Sequence, residues 1–155
     1  MVIDGSKGVE AQTIKLFKVC VMRGIPIFTF VNKMDREAKD PFELIDEIEN
    51  VLGIRTCPIN WPIGSGKEFK GVYDRRTRKV MTFADTLKGT KEGSEKIIDI
   101  DDPSLVDEIG ADKKAQLDDE IELLDGASAE FDMELVTKGE LSPVFFGSAL
   151  TNFGV

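Results

Sequence analysis

Two short apolar runs, separated by one helical repeat and each closed by a polar loop, constrain this sequence more than any other feature. The first is Met1-Val2-Ile3, ending at Asp4-Gly5; the second is "PIFTFV", Pro26 to Val31. Uninterrupted apolar runs of this kind are strands covered on both faces, as in parallel sheets. Between them, Glu10 to Arg23 carries Ile14, Phe17 and Val21 at helical spacing, with Leu16 and Cys20 beside them, and Gly24 follows as a stop. A strand, a helix and a strand joined by short links form a βαβ unit, so the chain opens as an α/β protein.

The pattern then changes twice. Asp40-Pro41 predicts a capped helix with Phe42, Ile45, Ile48 and Leu52 as its buried stripe and Gly53 as its end. From Ile54 to about Leu87 the sequence reads as short strands, with a hairpin turning at Arg75 to Arg78. A helix is expected from Asp102-Pro103, broken near Gly110 and resumed with Leu117, Ile121 and Leu124 on one face. Another is expected from Ser128 to Lys138, with Phe131 and Leu135 inward; "IDIDDPSL" before them reads as an exposed loop. "SPVFFGSAL", Ser142 to Leu150, returns to a buried-strand pattern. The expected division is therefore 1–52 with 142–155 as part of a parallel α/β sheet, and 53–141 as an α+β insertion.

Charge supports that division. The 155 residues carry 20 Lys and Arg against 29 Asp and Glu, a net of −9. Thr90 to Leu141 alone holds 5 basic against 17 acidic residues, while the remainder holds 15 against 12. An acidic segment is not drawn to phosphates, so direct DNA binding is not expected and a protein partner fits it better. No apolar run is long enough for a membrane-spanning helix, and no basic stretch precedes an apolar leader, so a cytoplasmic protein without membrane contact is expected. The sequence has no histidine, which removes the commonest general base and zinc ligand. Cys20 and Cys57 form no C-x-x-C pair and read as reduced core thiols.

The second apolar run ends in "VNKMD". Asn32, Lys33 and Asp35 sit where open α/β sheets bind ligands, at the carboxyl end of a strand. An ionised Asp35 can accept from both the ring N–H and the exocyclic amine of guanine. Adenine carries an acceptor at that ring nitrogen and no amine beside it, a mismatch costing on the order of 1–3 kcal/mol when buried. Asn32 can bond the base edge and the neighbouring loops, and the stem of Lys33 can lie along the base plane. The plainer account is a polar loop with a capping asparagine. A second element strengthens the first: Ser148, Ala149 and Leu150 follow the last apolar strand, and a small turn there exposes N–H groups to a guanine carbonyl.

Two other stretches fail their templates. "GSGK", Gly64 to Lys67, would need a glycine where Trp61 stands and a hydroxyl where Glu68 stands to form a phosphate loop, so it reads as a turn. The acidic run from Asp99 places Pro103 and Ser104 where a calcium loop needs a ligand and a glycine; capping by Asp102 explains it better. No catalytic residue and no metal ligand is read from the sequence.

Together "MVIDGSKGVEAQT", "FVNKMDRE", "INWPIGSGKEFKGVYD" and "SPVFFGSAL" resemble the G domain of translational GTPases of the elongation factor G group, over essentially the whole chain. The "NWPIG", "DPFELIDEIE" and "GASAEFDMEL" stretches are most similar to its peptide-release members. The resemblance implies a partial P-loop GTPase-type sheet, its base-reading half, with Asn32, Lys33, Asp35, Ser148, Ala149 and Leu150 around guanine. It implies a parent that binds GTP or GDP with Mg²⁺, hydrolyses GTP on the ribosome and promotes departure of the class I release factor. The inserted part would lie near the ribosomal stalk. In the family, the phosphate loop, the switches and a catalytic histidine precede the first strand. This stretch by itself is thus expected to be an inactive fragment that binds no nucleotide tightly and self-associates through an unpaired sheet edge. Two alternatives remain at this point: an elongation factor G-like or ribosomal protection GTPase, and a non-catalytic module acting through the acidic insertion.

Overall fold

The computed structural model describes residues 1–34, 36–82, 96–128 and 130–147. Four parallel strands form the first sheet, in the order β1-β2-β8-β3: β1 is Val2–Asp4, β2 Thr29–Asn32, β3 Arg55–Pro58 and β8 Leu141–Phe146. Helix α1, Ala11–Met22, makes the crossover from β1 to β2. Helix α2, Pro41–Leu52, connects β2 to β3. Its start follows the expected chemistry: Asp40 accepts from the Phe42 N–H at 2.8 Å, and Pro41 fills the first position, where no N–H is needed. Gly53 closes it in the left-handed conformation.

The second sheet is antiparallel, β4-β5-β6-β7, with β4 at Asn60–Ile63, β5 at Gly71–Asp74, β6 at Lys79–Thr82 and β7 at Lys96–Asp99. Helices α3 (Ser104–Ile109), α4 (Ala111–Ala127) and α5 (Met133–Thr137) lead back to β8. One buried cluster runs through both sheets, from Val31, Met34 and Val144 to Trp61, Val72 and Ile98, and on to Leu117 and Leu124 of α4. The antiparallel part therefore shares a core with the parallel sheet.

Asn60 makes the junction. Its side-chain oxygen accepts from the Phe146 N–H at 2.6 Å and its amide donates to the Phe146 carbonyl at 3.1 Å. The side chain thus continues the pairing with β8 after the β3 backbone has turned away. Ser142 does similar work lower in β8: its hydroxyl donates to the Ile27 carbonyl at 2.9 Å and so accepts from Thr29 Oγ1 at 2.7 Å.

Four expectations need correction. The boundary after Leu52 falls one strand early, because Arg55–Pro58 pairs with β8 in the parallel sheet. The buried face of α1 is Thr13 and Phe17; Leu16 and Val21 are exposed. "IDIDDPSL" does not form a loop throughout: Lys96–Asp99 pairs with β6, and Ile98, Ile100 and Leu105 are buried. Finally, the helix expected from Ser128 shortens to Met133–Thr137, with Val136 inward and Phe131 exposed, because α4 extends to Ala127.

Candidate functional site

The carboxyl ends of β1, β2 and β8 lie side by side, and their exits are stitched together through the backbone. The Gly5 N–H donates to the Asn32 carbonyl at 2.9 Å and the Lys39 N–H to the Gly5 carbonyl at 2.9 Å. On the other side of β2, the Met34 N–H donates to the Gly147 carbonyl at 3.1 Å, and the Gly147 N–H to the Val31 carbonyl at 3.0 Å. The segment after β2 is thereby clamped between the segments after β1 and β8. Its anchor is Met34, whose side chain is fully buried in the shared core.

A third clamp comes from the "GSGK" stretch. The Gly66 N–H donates to the Met34 carbonyl at 3.1 Å, at the start of a short 3-10 turn, Gly66–Glu68. What the sequence rejected as a phosphate loop braces the loop after β2 from the antiparallel sheet.

Of the six residues singled out, Asn32 and Lys33 are described; Asp35, Ser148, Ala149 and Leu150 lie outside the described residues. Their chain neighbours Met34 and Gly147 are the pair joined at 3.1 Å. The Asn32 side-chain oxygen accepts from the Lys33 N–H at 2.8 Å. Lys33 itself has φ of 67°, the left-handed region that a non-glycine residue adopts at a cost of about 1 kcal/mol or more. Strain of this kind persists where surrounding contacts fix it, and here both flanking residues are held.

One residue of this constellation escaped the sequence reading. Asp4 ends β1 directly beside Asn32 in the sheet register, and its Oδ2 lies 2.9 Å from the Lys33 ammonium. Its Oδ1 accepts from the Ser6 N–H at 2.9 Å and the Ser6 hydroxyl at 2.7 Å. The Ser6 hydroxyl, with Lys33 next, holds the Asp4 carboxyl well below the usual carboxylate range. The signal was present: a carboxylate at the end of the strand that a βαβ unit pairs with β2.

Elsewhere, a hollow of about 300 Å³ is lined by Cys57, Pro58, Ile59, Arg75, Asp125 and Phe131, among others, and includes none of Asn32 to Met34. Burial pushes the Cys57 thiol up, which makes it a poor nucleophile. Among the described residues, no three His, Cys, Asp or Glu side chains gather where they could hold a metal ion.

Residues 1–155 match the elongation factor Tu GTP-binding domain family. The chain belongs to that family. It is 57% identical over 155 residues to peptide chain release factor 3 of Symbiobacterium thermophilum, covering all of this chain and 29% of the relative. It is 53% identical to peptide chain release factor 3 of Synechococcus elongatus, again over the whole chain and 28% of the relative. The same protein of Nostoc punctiforme is 49% identical, over 29% of its length. The chain thus spans less than a third of the curated relatives it matches. For a GTP-binding domain of this type the ligand class is a guanine nucleotide, and the parallel sheet with its strand exits at one end is the expected α/β scaffold. No helix among the described residues is long and apolar enough to cross a membrane.

Proposed function

We propose that this chain reads the guanine base within the GTP-binding domain of a translational GTPase that acts in peptide release. The observation that carries this reading is the exchange of backbone bonds between the loop after β2 and the exit of β8. It joins the two stretches that the reading needs around one base. Asn32, Lys33 and Asp35 face the base; Ser148, Ala149 and Leu150 close over it. The full chain hydrolyses GTP with Mg²⁺ on the ribosome, in the cytoplasm, and promotes departure of the class I release factor. The relatives' name, peptide chain release factor 3, supports the part in peptide release, and the family model supports the guanine nucleotide. The phosphate and magnesium contacts are assigned outside residues 1–155, so this stretch alone hydrolyses no GTP.

The test is equilibrium titration of the full chain, at the length of its relatives, with GDP and xanthosine diphosphate. Xanthine carries a 2-carbonyl where guanine carries an amine. Asp35→Asn, which offers a donor there, is expected to lose GDP and gain the xanthine nucleotide. An unchanged preference for GDP would sink the reading.

The acidic helix supports a partner for the part that runs from β4 to α5. Asp118, Asp119 and Glu122 of α4 are exposed. The ribosomal stalk protein is the proposed occupant. Charge reversal at these three positions should weaken stalk binding in a direct titration; unchanged affinity would remove the stalk from the proposal.

A further inference from the structure

Lys33 is held by a group outside the N-K-x-D stretch. Its ammonium is 2.9 Å from Asp4 Oδ2, one strand away. A lone surface ion pair carries little weight, but Asp4 is not a loose surface carboxylate. Its side chain is only 13% exposed, and both of its oxygens are engaged. The bonds from Ser6 to Oδ1 are an ordinary turn after a strand. They leave Oδ2 free, and it takes the ammonium. The two loops cannot drift apart, because Gly5 donates to the Asn32 carbonyl. At Gly5 a Cβ would stand 3.1 Å from that carbonyl oxygen and 3.2 Å from Met34 Sδ.

A lysine stem tied down at its far end differs from a free one. Untethered, it samples many rotamers, and a purine resting on it must order it. Tethered across the ends of β1 and β2, it is ordered before the base arrives. The left-handed backbone at Lys33 directs the side chain, and Asp4 fixes its end.

We propose that Asp4 is a positioning residue of the nucleotide site, holding the Lys33 ammonium so that the aliphatic stem forms a fixed platform for the purine face. The proposal rests on the base-reading function above. A platform touches the ring face and not the edge, so it serves every purine alike. That separates Asp4 from Asp35, which reads the edge.

The experiment is titration of the full chain with GDP and with inosine diphosphate, which lacks the 2-amine. Asp4→Asn should weaken both by the same factor, roughly three- to tenfold, the worth of ordering one long side chain. Asp35→Asn should instead change the ratio between them. In a Lys33→Ala background, Asp4→Asn should cost nothing further, because Asp4 acts through Lys33. Ser6→Ala keeps the charge and removes one bond, and should give the same pattern at smaller size; Asp4→Glu should restore part of the loss. Additive losses in the Asp4/Lys33 pair would overturn the proposal. So would Asp4→Asn without effect while Asp35→Asn and Lys33→Ala weaken GDP. If those two also leave GDP binding unchanged, the base-reading function itself falls, and Asp4 with it.

Discussion

The Trp61 indole N–H donates to Glu120 Oε2 at 2.7 Å, tying β4 to the acidic helix α4. Trp61 is completely buried, with Phe42 of α2 at 4.7 Å and Phe146 of β8 at 5.4 Å between ring centroids. One side chain of the antiparallel sheet thus meets a helix and a strand of the parallel half and the insertion's longest helix. The indole needs an acceptor there, and Glu120 supplies it from a half-buried position.

That arrangement predicts an unusual pH dependence. Loss of water pushes the Glu120 carboxyl up from its ordinary value of 4.5, against the bonds from Trp61 and Gln116 that favour its charge. The folded state therefore holds this proton more tightly than the unfolded state. Its contribution to stability falls as pH rises from about 4.5 through the folded value. Glu120→Gln keeps an acceptor for the indole and removes the charge. It should be more stable than the parent at pH 7, with the gap closing near pH 4. Urea unfolding at the two pH values checks this. Glu120→Leu removes the acceptor and should lose about 1–3 kcal/mol at both.

Asn60 at the sheet junction carries the second prediction. Both of its amide groups are spent on Phe146, in a site only 8% exposed. Asn60→Ala leaves a buried N–H and a buried carbonyl without those partners, and should cost about 2–6 kcal/mol, since each orphaned group costs about 1–3. Asn60→Asp keeps the acceptor and loses the donor, so it sets a carboxylate against the Phe146 carbonyl and should do no better. Urea midpoints for the two variants read the result; near-native values would show that the junction is held by packing alone.

Most of the elements were legible because their signals are local. The Asp40-Pro41 start and the Gly53 stop of α2 are chemistry within a few residues, and both appear where the sequence put them. The hairpin turn at Arg75 to Arg78 is likewise local. What failed depended on distant neighbours. Ile98-Asp99, the start of "IDIDDPSL", looks like loop until β6 pairs with Lys96–Asp99 and buries Ile98. Helix α1 is apolar on two sides, so its sequence placed Phe17 on the buried face but could not say that Val21 and Leu16 stay exposed. At the candidate site the motif gave Asn32 and Lys33. The bracing from Asp4 and Gly66 comes from chain 29 and 32 residues from the groups it reaches; for Asp4 the one cue was the strand pairing of the βαβ unit, and for Gly66 no short pattern encodes it.

Gly66 supports a third prediction. Its φ of 61° disfavours any side chain, and an added Cβ would sit 3.3 Å from the Glu37 nitrogen. Gly66→Ala should cost about 1–3 kcal/mol of stability. It should also loosen the bond to the Met34 carbonyl and so weaken GDP binding by the full chain. Gly24→Ala is the control: it has a similar φ of 64° with open space around it, and lies away from the loop. If both variants lose stability alike and only Gly66→Ala loses GDP affinity, the brace matters to the site. Equal GDP affinity in the two would show that it does not.

Self-association is the last prediction, and it follows from surface that the described residues leave uncovered. Leu16, Val19 and Met22 stand at helical spacing along α1 and are 66%, 47% and 86% exposed. Val2 on β1 and Phe28 before β2 add to the exposed apolar surface. Strand β1 has one sheet neighbour, β2, and apart from the Asp4–Gly8 bridge no described strand pairs with its other edge. An apolar stripe next to an open parallel edge offers both burial and backbone bonding to another chain. Sedimentation of this 155-residue stretch should therefore show mass rising with concentration. Leu16→Glu with Met22→Lys should return it towards the monomer at the same concentration, without lowering the unfolding midpoint, because neither side chain is in the core. Were the double variant to associate as strongly as the parent, the stripe would be excluded and the open edge of β1 left as the contact. A proline at Val2, which removes an N–H from that strand, then decides the edge: continued association would exclude it as well.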